Sequence, residues 1–427
     1  MARQSSLRCR VCGATRADSP VQYCDECFGP LDVVVGPTGL DAAELRARIE
    51  AGPASMWRYA DLLAFDEPPG ADAVGWTPLV EARALGRDLG VTDLRLKDEG
   101  ANPGGSFKDR VVAAALSRAL DTGARVLACA STGNLALAVA GAARRAGLAS
   151  VVIVPEALPA ADQAAIAAEG AVVVPVAGDY DAANRLASEA SMTGESEAWG
   201  WVNVGLRPWY VEGSVTVAHE IAEQLGWAVP DAVVAPMASG AFALALHRGF
   251  VDLAEAGLVP PGPPPALWVV QPEGCAPVAA AFATGADDVA PVRPDTFASS
   301  LAMGDPPDGP EVLAVARTST GGVLAVPEAE IAPAQARLAA LEGLTTEPAG
   351  GVVVAGVARV AAVGRLPAGS TVVACLTGGA ASARPVPTTG PSGGGSGRVA
   401  GTIPPTVSAL SAAVAGGHSD APEDPSR

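Results

Sequence analysis

Lysine and histidine are scarce in this 427-residue chain. Its only lysines are Lys97 and Lys108, and its only histidines are His219, His247 and His418. Neither lysine lies in a G-x-x-x-x-G-K segment, which excludes a phosphate-binding P-loop, and no histidine pair has the H-E-x-x-H spacing of a zinc site. Chemistry that needs a histidine cluster is therefore excluded, whereas chemistry that needs one lysine has two candidates.

The chain also has few basic residues and no long apolar run. The chain carries 28 basic and 46 acidic side chains, a net charge of −18, which disfavours nucleic acid or an anionic membrane as a partner. No run of about 18 uncharged apolar residues could span a bilayer, and the N-terminal MARQSSLRCR lacks the apolar stretch of a signal peptide. We therefore expect a cytoplasmic protein without a disulfide framework, despite its seven cysteines.

Short apolar runs alternate with alanine-rich, helix-length stretches between residues 76 and 379. This alternation predicts an α/β fold with a parallel sheet covered on both faces. The predicted strands are 125–130, 150–155, 171–176, 232–237, 266–272 and 371–376. The predicted helices include 111–120, 135–147 and 215–226. From about residue 383 the composition predicts a flexible tail, in which residues 403–416 could dock as a short helix.

Four of the cysteines form two C-x-x-C pairs near the N-terminus. They are Cys9, Cys12, Cys24 and Cys27. Two such pairs can place four thiolates around one ion, a donor set that suits Zn²⁺. Four thiolates leave no open coordination position, so we expect a structural metal in a zinc-ribbon-like segment over residues 1–35, with Gly13 and Gly29 easing its turns. The alternative is four incidental or redox-active cysteines.

Lys108 lies in the segment LKDEGANPGGSFKDR, between a glycine-rich bend and a helix-like run. A lysine fixed at such a junction suits a Schiff base to an aldehyde cofactor, because it is held, partly desolvated and tunable in pKa. The alternative is a surface lysine near a bend. Lys97 has a different setting, among charges at a strand end.

Three further loops follow predicted strands, where α/β sheets bind ligands. The loop STGN (131–134) could hold a carboxylate at a helix N-terminus, and the small-residue loop in PMASGAFALAL (236–246) suits a phosphate. The loop TGGA (377–380) follows the last strand. Each signal is weak alone, but all four loops are expected at one edge of the sheets.

Taken together, these segments resemble the fold type II pyridoxal-phosphate enzymes, whose fold is that of the tryptophan synthase β subunit, and more narrowly the threonine synthase family. The resemblance covers residues 9–379 and includes the segments WTPLVEA, GDYDAANRL, LRPWYVEGS, MGDPPDGPEVLAVAR and EGLTTEPAGG. It implies a homodimer and two three-layer α/β/α domains. These would be a large cofactor-binding domain (36–110 and 216–382) and a smaller domain (111–215), followed by the tail 383–427.

The resemblance also implies a role for each matching residue. Lys108 would carry pyridoxal 5′-phosphate, with Phe107 beside the ring, Asn134 at the 3′-oxygen and Thr377 at the pyridine nitrogen. The cofactor phosphate would bind the backbone N–H groups of Ala238, Ser239, Gly240 and Ala241. The substrate carboxylate would bind Ser131 and Thr132. The candidates for the substrate phosphate are Arg185, Asn203 and Arg207.

The reaction that the resemblance implies is the conversion of O-phospho-L-homoserine and water to L-threonine and phosphate. Three positions depart from the usual family pattern, namely Gly104, where threonine is common, Val215, where lysine is common, and Ala380 in the last loop. They leave open a paralogue that performs β-elimination or β-replacement on another amino acid, such as a dehydratase or a synthase. A third alternative is an interaction protein that uses the ribbon and has no catalytic activity.

Overall fold

The computed structural model describes residues 5–19, 21–193, 198–380 and 397–415. Its N-terminal unit is a small antiparallel sheet of order β2-β1-β3. The three strands are β1 (Ser5–Cys9), β2 (Thr15–Ala17) and β3 (Leu31–Val35). Cys9 is the last residue of β1, and the other three cysteines of the two pairs lie in the connections between these strands, which fits the predicted ribbon-like segment.

The largest sheet has six strands in the order β12-β11-β10-β13-β5-β4. All neighbouring strands are parallel except β4, which pairs antiparallel with β5 at one edge. The strands are β4 (Leu79–Glu81), β5 (Asp93–Asp98), β10 (Ala232–Pro236), β11 (Ala266–Pro272), β12 (Gly322–Val326) and β13 (Thr371–Leu376). Parallel pairing brings the carboxyl ends of five strands to one edge.

The second sheet has five parallel strands in the order β14-β8-β7-β6-β9. They are β6 (Val126–Ala130), β7 (Ala149–Pro155), β8 (Val172–Val176), β9 (Trp199–Trp201) and β14 (Arg398–Val399). The tail was expected to be flexible apart from a short helix that could dock within residues 403–416, and residues 397–415 pack on this sheet. The strand β14 extends the sheet beside β8, and the predicted C-terminal helix docks with Leu410 buried. Residues 383–396 and 416–427 of the predicted tail lie outside the described residues.

Helices cover both faces of each large sheet, as the α/β prediction requires. The helices are α1 (Ala42–Glu50), α2 (Arg83–Leu89), α3 (Lys108–Asp121), α4 (Asn134–Arg145), α5 (Ala160–Ala168), α6 (Tyr180–Ser191), α7 (Arg207–Gln224), α8 (Ala241–Glu255), α9 (Pro277–Thr284), α10 (Gly309–Thr318), α11 (Glu328–Glu342), α12 (Pro348–Ala362) and α13 (Val407–Ala415). The six-stranded sheet packs between α2, α11 and α12 on one face and α1, α7 and α8 on the other. The five-stranded sheet packs between α3, α4 and α5 on one face and α6 and α13 on the other.

All six predicted strands are present, because each is an apolar run buried on both faces. The remaining cysteines, Cys129, Cys275 and Cys375, are fully buried core residues. None of the helices in the described part of the chain combines the length and apolarity needed to cross a bilayer.

Candidate active site and metal site

The loop that carries Lys108 and the loop that follows β13 are joined by backbone hydrogen bonds. The N–H of Phe107 donates to the carbonyl of Thr377 over 3.0 Å, and the N–H of Gly379 donates to the carbonyl of Gly105 over 3.0 Å. These contacts form because β5 and β13 are parallel neighbours, so that both loops leave the same edge. Two of the predicted cofactor loops are thereby brought together.

Lys108 is the first residue of α3, and its side chain is partly buried. Its amine donates to the phenol oxygen of Tyr210, on α7, and lies 4.4 Å from the centroid of the Phe107 ring. An amine held between a phenol and an aromatic ring has a defined direction. Tyr210 was not identified from the sequence as a site residue; its only signal was its place in the segment LRPWYVEGS.

Asn134 is the first residue of α4, and its amide points toward the loop after β13. The Nδ2 atom donates to Oε2 of Glu347 over 2.8 Å, and the N–H of Glu347 donates to the carbonyl of Gly378 over 3.2 Å. Asn134 is thus tied, through Glu347, to the loop that contains Thr377. Glu347 was also missed, because EGLTTEPAGG contributed to the resemblance without any residue role.

The predicted phosphate loop lies where β10 meets α8. Ala238 and Ser239 are partly exposed, and Ala241 begins the helix. The first N–H groups of a helix have no intrahelical acceptor, so they can bind an anion. The Phe242 ring on α8 lies 4.7 Å from the Phe107 ring, between centroids, and places this loop beside the lysine.

The loop STGN follows β6, with the Ser131 side chain largely buried and Thr132 exposed. Asn203 braces the end of β6, since its side chain accepts from the N–H of Ala130 and donates to the Ala130 carbonyl, each over 3.3 Å. It also donates to Oδ1 of Asn184 over 3.3 Å. Asn203 therefore positions the STGN loop, a function that its predicted role at the substrate did not include.

The two candidate arginines have different surroundings. Arg207 begins α7, and its guanidinium donates to Oδ2 of Asp308 over 3.0 Å. Arg207 and Tyr210 are three residues apart on one helix and so lie on the same face. Arg185 is exposed on α6. The contacts above therefore connect Arg207, but not Arg185, to the region around the lysine, and Asp308 is a further residue that the sequence did not identify.

One orphaned polar atom supports the fit of a cofactor at this edge. The hydroxyl of Ser106 is buried and has no hydrogen-bond partner within the described residues. It lies in the same bend as Phe107 and Lys108, and Ser106 forms an antiparallel bridge with Gly378 in the loop after β13. In the phosphate loop the N–H of Ala241 donates to Oγ of Ser239 over 3.3 Å. A fixed amine, an amide donor and a helix N-terminus form a donor set that suits pyridoxal 5′-phosphate.

Lys97 belongs to a fully buried ionic cluster under the site. Its Nζ lies 2.7 Å from Oε2 of Glu220, and the same carboxylate binds Arg110, which also binds Glu99 over 2.7 Å. Burial lowers the pKa of Lys97, and the Glu220 carboxylate opposes that shift. Burial alone would raise the pKa of Glu220, but Arg110 and Lys97 lower it to about 2. The cluster keeps Lys97 away from any ligand, so Lys108 is the one lysine available there.

Two of the positions that depart from the family pattern have clear surroundings. A Cβ at Gly104 would lie 2.6 Å from Oδ1 of Asp109, whose carboxylate accepts from the Gly104 N–H. Val215 is buried between α7 and α8, where it packs against Gly249. Both residues therefore serve local packing, and Val215 has no access to a ligand. Ala380 ends the described part of its loop.

The four N-terminal cysteines form a cluster that can hold a metal ion. All four Sγ atoms lie within 4.8 Å of one another, with 3.4 Å between Cys9 and Cys27 and 3.7 Å between Cys12 and Cys24. A tetrahedral site with Zn–S bonds of ~2.3 Å has sulfurs ~3.8 Å apart. Backbone N–H groups lower the pKa of the Cys9 thiol and lower that of Cys24 to about 6, whereas hydrogen bonds with neighbouring thiols raise the pKa of Cys12 and of Cys27. Two of the four thiols thus favour the thiolate form that binds metal even before an ion is present.

The two cysteine turns share one backbone pattern. In each, the residue after the second cysteine donates its N–H to the carbonyl of the first, over 3.1 Å for Gly13 and 2.9 Å for Phe28. Both residues have positive φ, 73° for Gly13 and 57° for Phe28. Gly29, predicted to ease the second turn, serves another purpose, because a Cβ there would lie 2.9 Å from Sγ of Cys9.

Comparison with known proteins agrees with this geometry. A family model described as "Pyridoxal-phosphate dependent enzyme" matches residues 71–378. A threonine synthase from Methanosarcina acetivorans is 33% identical over 375 residues, which cover 87% of this chain and 91% of that protein. A threonine synthase from Synechocystis sp. is 37% identical over 310 residues, or 71% of this chain and 76% of its own.

Two solved structures resemble the fold. The processed form of threonine deaminase isoform 2 from Solanum lycopersicum has a TM-score of 0.59 and 23% identity, and covers 81% of this chain and 92% of that chain. A fungal L-serine ammonia-lyase from Rhizomucor miehei has a TM-score of 0.56 and 23% identity, and covers 71% of this chain and 93% of that chain. Since the family model and the relatives extend over most of the sequence, the chain belongs to the pyridoxal-phosphate dependent enzyme family and, within it, to the threonine synthases.

Proposed function

We propose that the protein converts O-phospho-L-homoserine and water to L-threonine and phosphate, with pyridoxal 5′-phosphate as cofactor. One observation carries the proposal: α7 presents Tyr210 to the Lys108 amine and, three residues earlier, presents the cation Arg207 on the same face. A proton-transfer group and a cation for an anionic leaving group are thus available at one edge of the fold. Because the chain belongs to the threonine synthases, this arrangement is expected to act on an amino-acid substrate bound to pyridoxal 5′-phosphate.

The residues divide into those that hold the cofactor and those that hold the substrate. Lys108 and Asn134 would hold the cofactor ring, Thr377 would face its nitrogen, Phe107 would pack beside it, and the loop from Ala238 to Ala241 would bind its phosphate. When bound, pyridoxal phosphate supplies an electron sink for charge that develops at the substrate's Cα. A hydroxyl at the pyridine nitrogen, unlike a carboxylate, leaves that nitrogen largely unprotonated, so the ring withdraws electrons less strongly.

Proton transfer is assigned to Lys108. Its amine would remove the proton from Cα of the substrate and could also serve at Cβ. Tyr210, which accepts a hydrogen bond from this amine, would keep it directed at the substrate. Ser131 and Thr132 would bind the substrate carboxylate at the start of α4, where backbone N–H groups favour an anion.

The phosphate leaving group needs a cation, and no lysine is free to provide one. Arg207 and Arg185 are the candidates, with Asn203 as a neutral donor. Hydrogen bonds between charged groups contribute about 1.5–3 kcal/mol each, so loss of one such partner should be measurable.

Phosphate release provides the decisive test. The purified holoenzyme should release one phosphate for each threonine formed from O-phospho-L-homoserine, measured by a coupled phosphate assay and by amino-acid analysis. A wild-type enzyme that releases no phosphate would reject the proposal and favour the paralogue that acts on another amino acid, by β-elimination or β-replacement. L-threonine and L-serine, supplied as substrates in the same assay series, would identify a dehydratase.

The Arg207→Ala variant tests the leaving-group cation. We expect kcat/KM for O-phospho-L-homoserine to fall at least about tenfold, or ~1.4 kcal/mol in transition-state stabilisation. Cofactor absorbance should remain, since a different loop binds the cofactor phosphate. Arg185→Ala is the matched comparison, and a larger loss in that variant would transfer the role to Arg185.

We also propose that the four cysteines bind one structural Zn²⁺. Metal analysis of freshly purified, reduced protein should find one zinc per chain, and Cys12→Ser should lower stability more than it lowers the rate per folded molecule. Protein that is folded and free of metal would contradict this assignment. The interaction-protein alternative, in turn, would require the purified protein to be colourless.

The remaining expectations form part of the same proposal. We infer a cytoplasmic homodimer in which each large sheet and its helices form one domain, with boundaries near residues 110 and 215. Light scattering at several concentrations tests the dimer. Limited proteolysis tests the boundaries, since cleavage should concentrate where few contacts cross.

A further inference from the structure

Arg10 of the N-terminal ribbon reaches the candidate substrate site. Arg10 lies between the metal-binding candidates Cys9 and Cys12. Its guanidinium extends away from the ribbon and donates hydrogen bonds to Asp308 and Glu311 near the start of α10. The distances are 3.2 Å from Nη1 to Oδ1 of Asp308 and 2.9 Å from Nη1 to Oε2 of Glu311. The first C-x-x-C turn thus contacts the body of the enzyme, meaning the two large sheets and their helices, through the Arg10 side chain.

Asp308 is shared between two arginines. Its Oδ1 atom binds Arg10, and its Oδ2 atom accepts from Nη2 of Arg207 over 3.0 Å. The Asp308 side chain is only 4% exposed, so neither ion pair is strongly screened by solvent. The carboxylate therefore fixes the position of one arginine relative to the other.

Arg10 is itself held rigidly. Its Nε and Nη2 atoms donate to Oδ1 of Asp32 on β3, over 2.8 and 2.7 Å. Its Nη1 atom donates to the carboxylates of Asp308 and Glu311. A planar guanidinium bound on both sides can orient a carboxylate more sharply than a single flexible contact.

Asp308 is also tied to the cofactor loop. Its N–H donates to the carbonyl of Ser239 over 3.1 Å, and a Cβ at Gly240 would lie 2.9 Å from the Asp308 Cβ. One residue thus connects the ribbon, the candidate substrate cation and the loop expected to bind the cofactor phosphate. A contact that only fastened the ribbon to the body would not need to end at Arg207.

We propose that Arg10 is a positioning residue for substrate binding, which acts through Asp308 to orient the Arg207 guanidinium toward the anionic end of the substrate. The inference rests on the proposed function only for the identity of the anion. Without Arg10, Asp308 could turn, Arg207 would follow it, and Asp32 and Glu311 would lose their shared cation. The affinity for the phosphate group should then fall, while proton transfer at Lys108 should be little affected.

The first test compares Arg10→Gln with Asp18→Asn in the holoenzyme. Arg10→Gln should raise KM for O-phospho-L-homoserine, and the Kd for inorganic phosphate measured by calorimetry, by about tenfold, with kcat within about twofold. Asp18→Asn is the matched control, because it removes another ion pair between ribbon and body, with Arg118 at 2.8 Å, that does not involve Asp308. It should leave both constants unchanged, and Arg10→Lys should recover part of the loss.

A double-mutant cycle then decides whether the effect passes through Asp308. In an Asp308→Asn background, Arg10→Gln should change the phosphate Kd by less than about twofold, because the connecting carboxylate is gone. An effect of the same size in both backgrounds would overturn the inference, as would an unchanged Kd in Arg10→Gln or equal losses in Asp18→Asn. A wild type that binds no phosphate overturns it too. A wild type that binds phosphate yet releases none from O-phospho-L-homoserine rejects only the proposed reaction.

Discussion

Phe28 shows how a single backbone angle affects the ribbon. With φ of 57° and a side chain that is 77% exposed, it holds a conformation that favours glycine and buries little apolar surface in return. A left-handed residue with a Cβ costs about 1–2 kcal/mol. We expect Phe28→Gly to stabilise the ribbon by ~1 kcal/mol relative to Phe28→Ala, which removes the ring but keeps the Cβ. Hydrogen exchange of the ribbon amides measures the difference, and equal protection in the two variants would contradict it.

The two lysines should differ completely in their reaction with the cofactor. Borohydride reduction of the holoenzyme, followed by peptide mapping, should place the reduced cofactor on Lys108, because Lys97 is fully buried against Glu220. Lys108→Ala should remove the label. Label on Lys97 would refute the assignment. Lys97→Ala is not a neutral control here, since it breaks a buried ion pair.

Individual site residues could be predicted from the sequence where a residue type is rare or where several motif residues lie close together. Lys108, Asn134 and the four cysteines could be proposed as site residues because NPGGSFKDR, STGN and the C-x-x-C pairs are specific. Tyr210, Glu347 and Asp308 could not, because their importance lies in contacts with residues 102, 213 and 101 positions away along the chain, respectively. Such partners are set by the packing of helices and loops, which no local pattern encodes.

Helix α7 illustrates the corresponding limit for an element. It begins at Arg207, eight residues before the predicted start at residue 215, and it contains Gly213, which lowers helix propensity. The glycine is needed because a Cβ there would lie 2.3 Å from the carbonyl oxygen of Arg110, where α3 and α7 cross closely. Tertiary packing therefore overrides the local signal, and it brings Tyr210 within reach of Lys108.

The buried ionic cluster should make this pair of helices sensitive to acid. The folded-state pKa of Glu220, about 2, lies below its ordinary value of 4.5. Its ionic contribution to stability is therefore complete above about pH 4.5 and is lost as the pH falls toward 2. Lys97→Met removes one of the cations that lower this pKa, so the acid-unfolding midpoint should move to higher pH, with a loss of about 3–5 kcal/mol at neutral pH.

The control for this experiment is an exposed ion pair of the same kind. Arg359 and Glu330 lie 2.7 Å apart at the surface, with side chains 38% and 47% exposed. Exposed pairs contribute little, so Arg359→Met should leave the acid midpoint where it is in the wild type. Denaturant unfolding at a series of pH values compares the three proteins. Equal shifts in both variants would mean that the buried cluster has no special role.

For the molecule as a whole, the C-terminal segment closes one edge of the five-stranded sheet. The backbone of residues 398–403 pairs along β8, and Leu410 is buried against the same sheet. A chain that ends at residue 396 would expose this edge and its apolar contacts. We expect it to lose at least about 2 kcal/mol of stability, since Leu410 alone buries a full side chain, and to aggregate on heating. A chain that ends at residue 415 should behave like the full chain in both unfolding and light-scattering measurements.

The architecture at this scale was largely predictable, because alternating buried runs and helix-length stretches leave few other folds. The short strands β4, β9 and β14 were not predicted. They have two or three residues each and gain their stability from neighbouring strands rather than from a long apolar run. The tail was judged by its composition, which cannot show that a segment after a polar linker returns to pair with a strand.

The burial of Lys97 has a practical consequence for chemical labelling. In a protein with only two lysines, amine-directed reagents find one side chain that is within reach, Lys108, besides the amino terminus. Acylating dyes and amine-coupling surfaces will therefore modify the active-site lysine of any molecule that lacks its cofactor and spare it when the cofactor is bound. The extent of labelling becomes a count of apo-protein in a preparation, and random immobilisation through lysine would favour the inactive fraction.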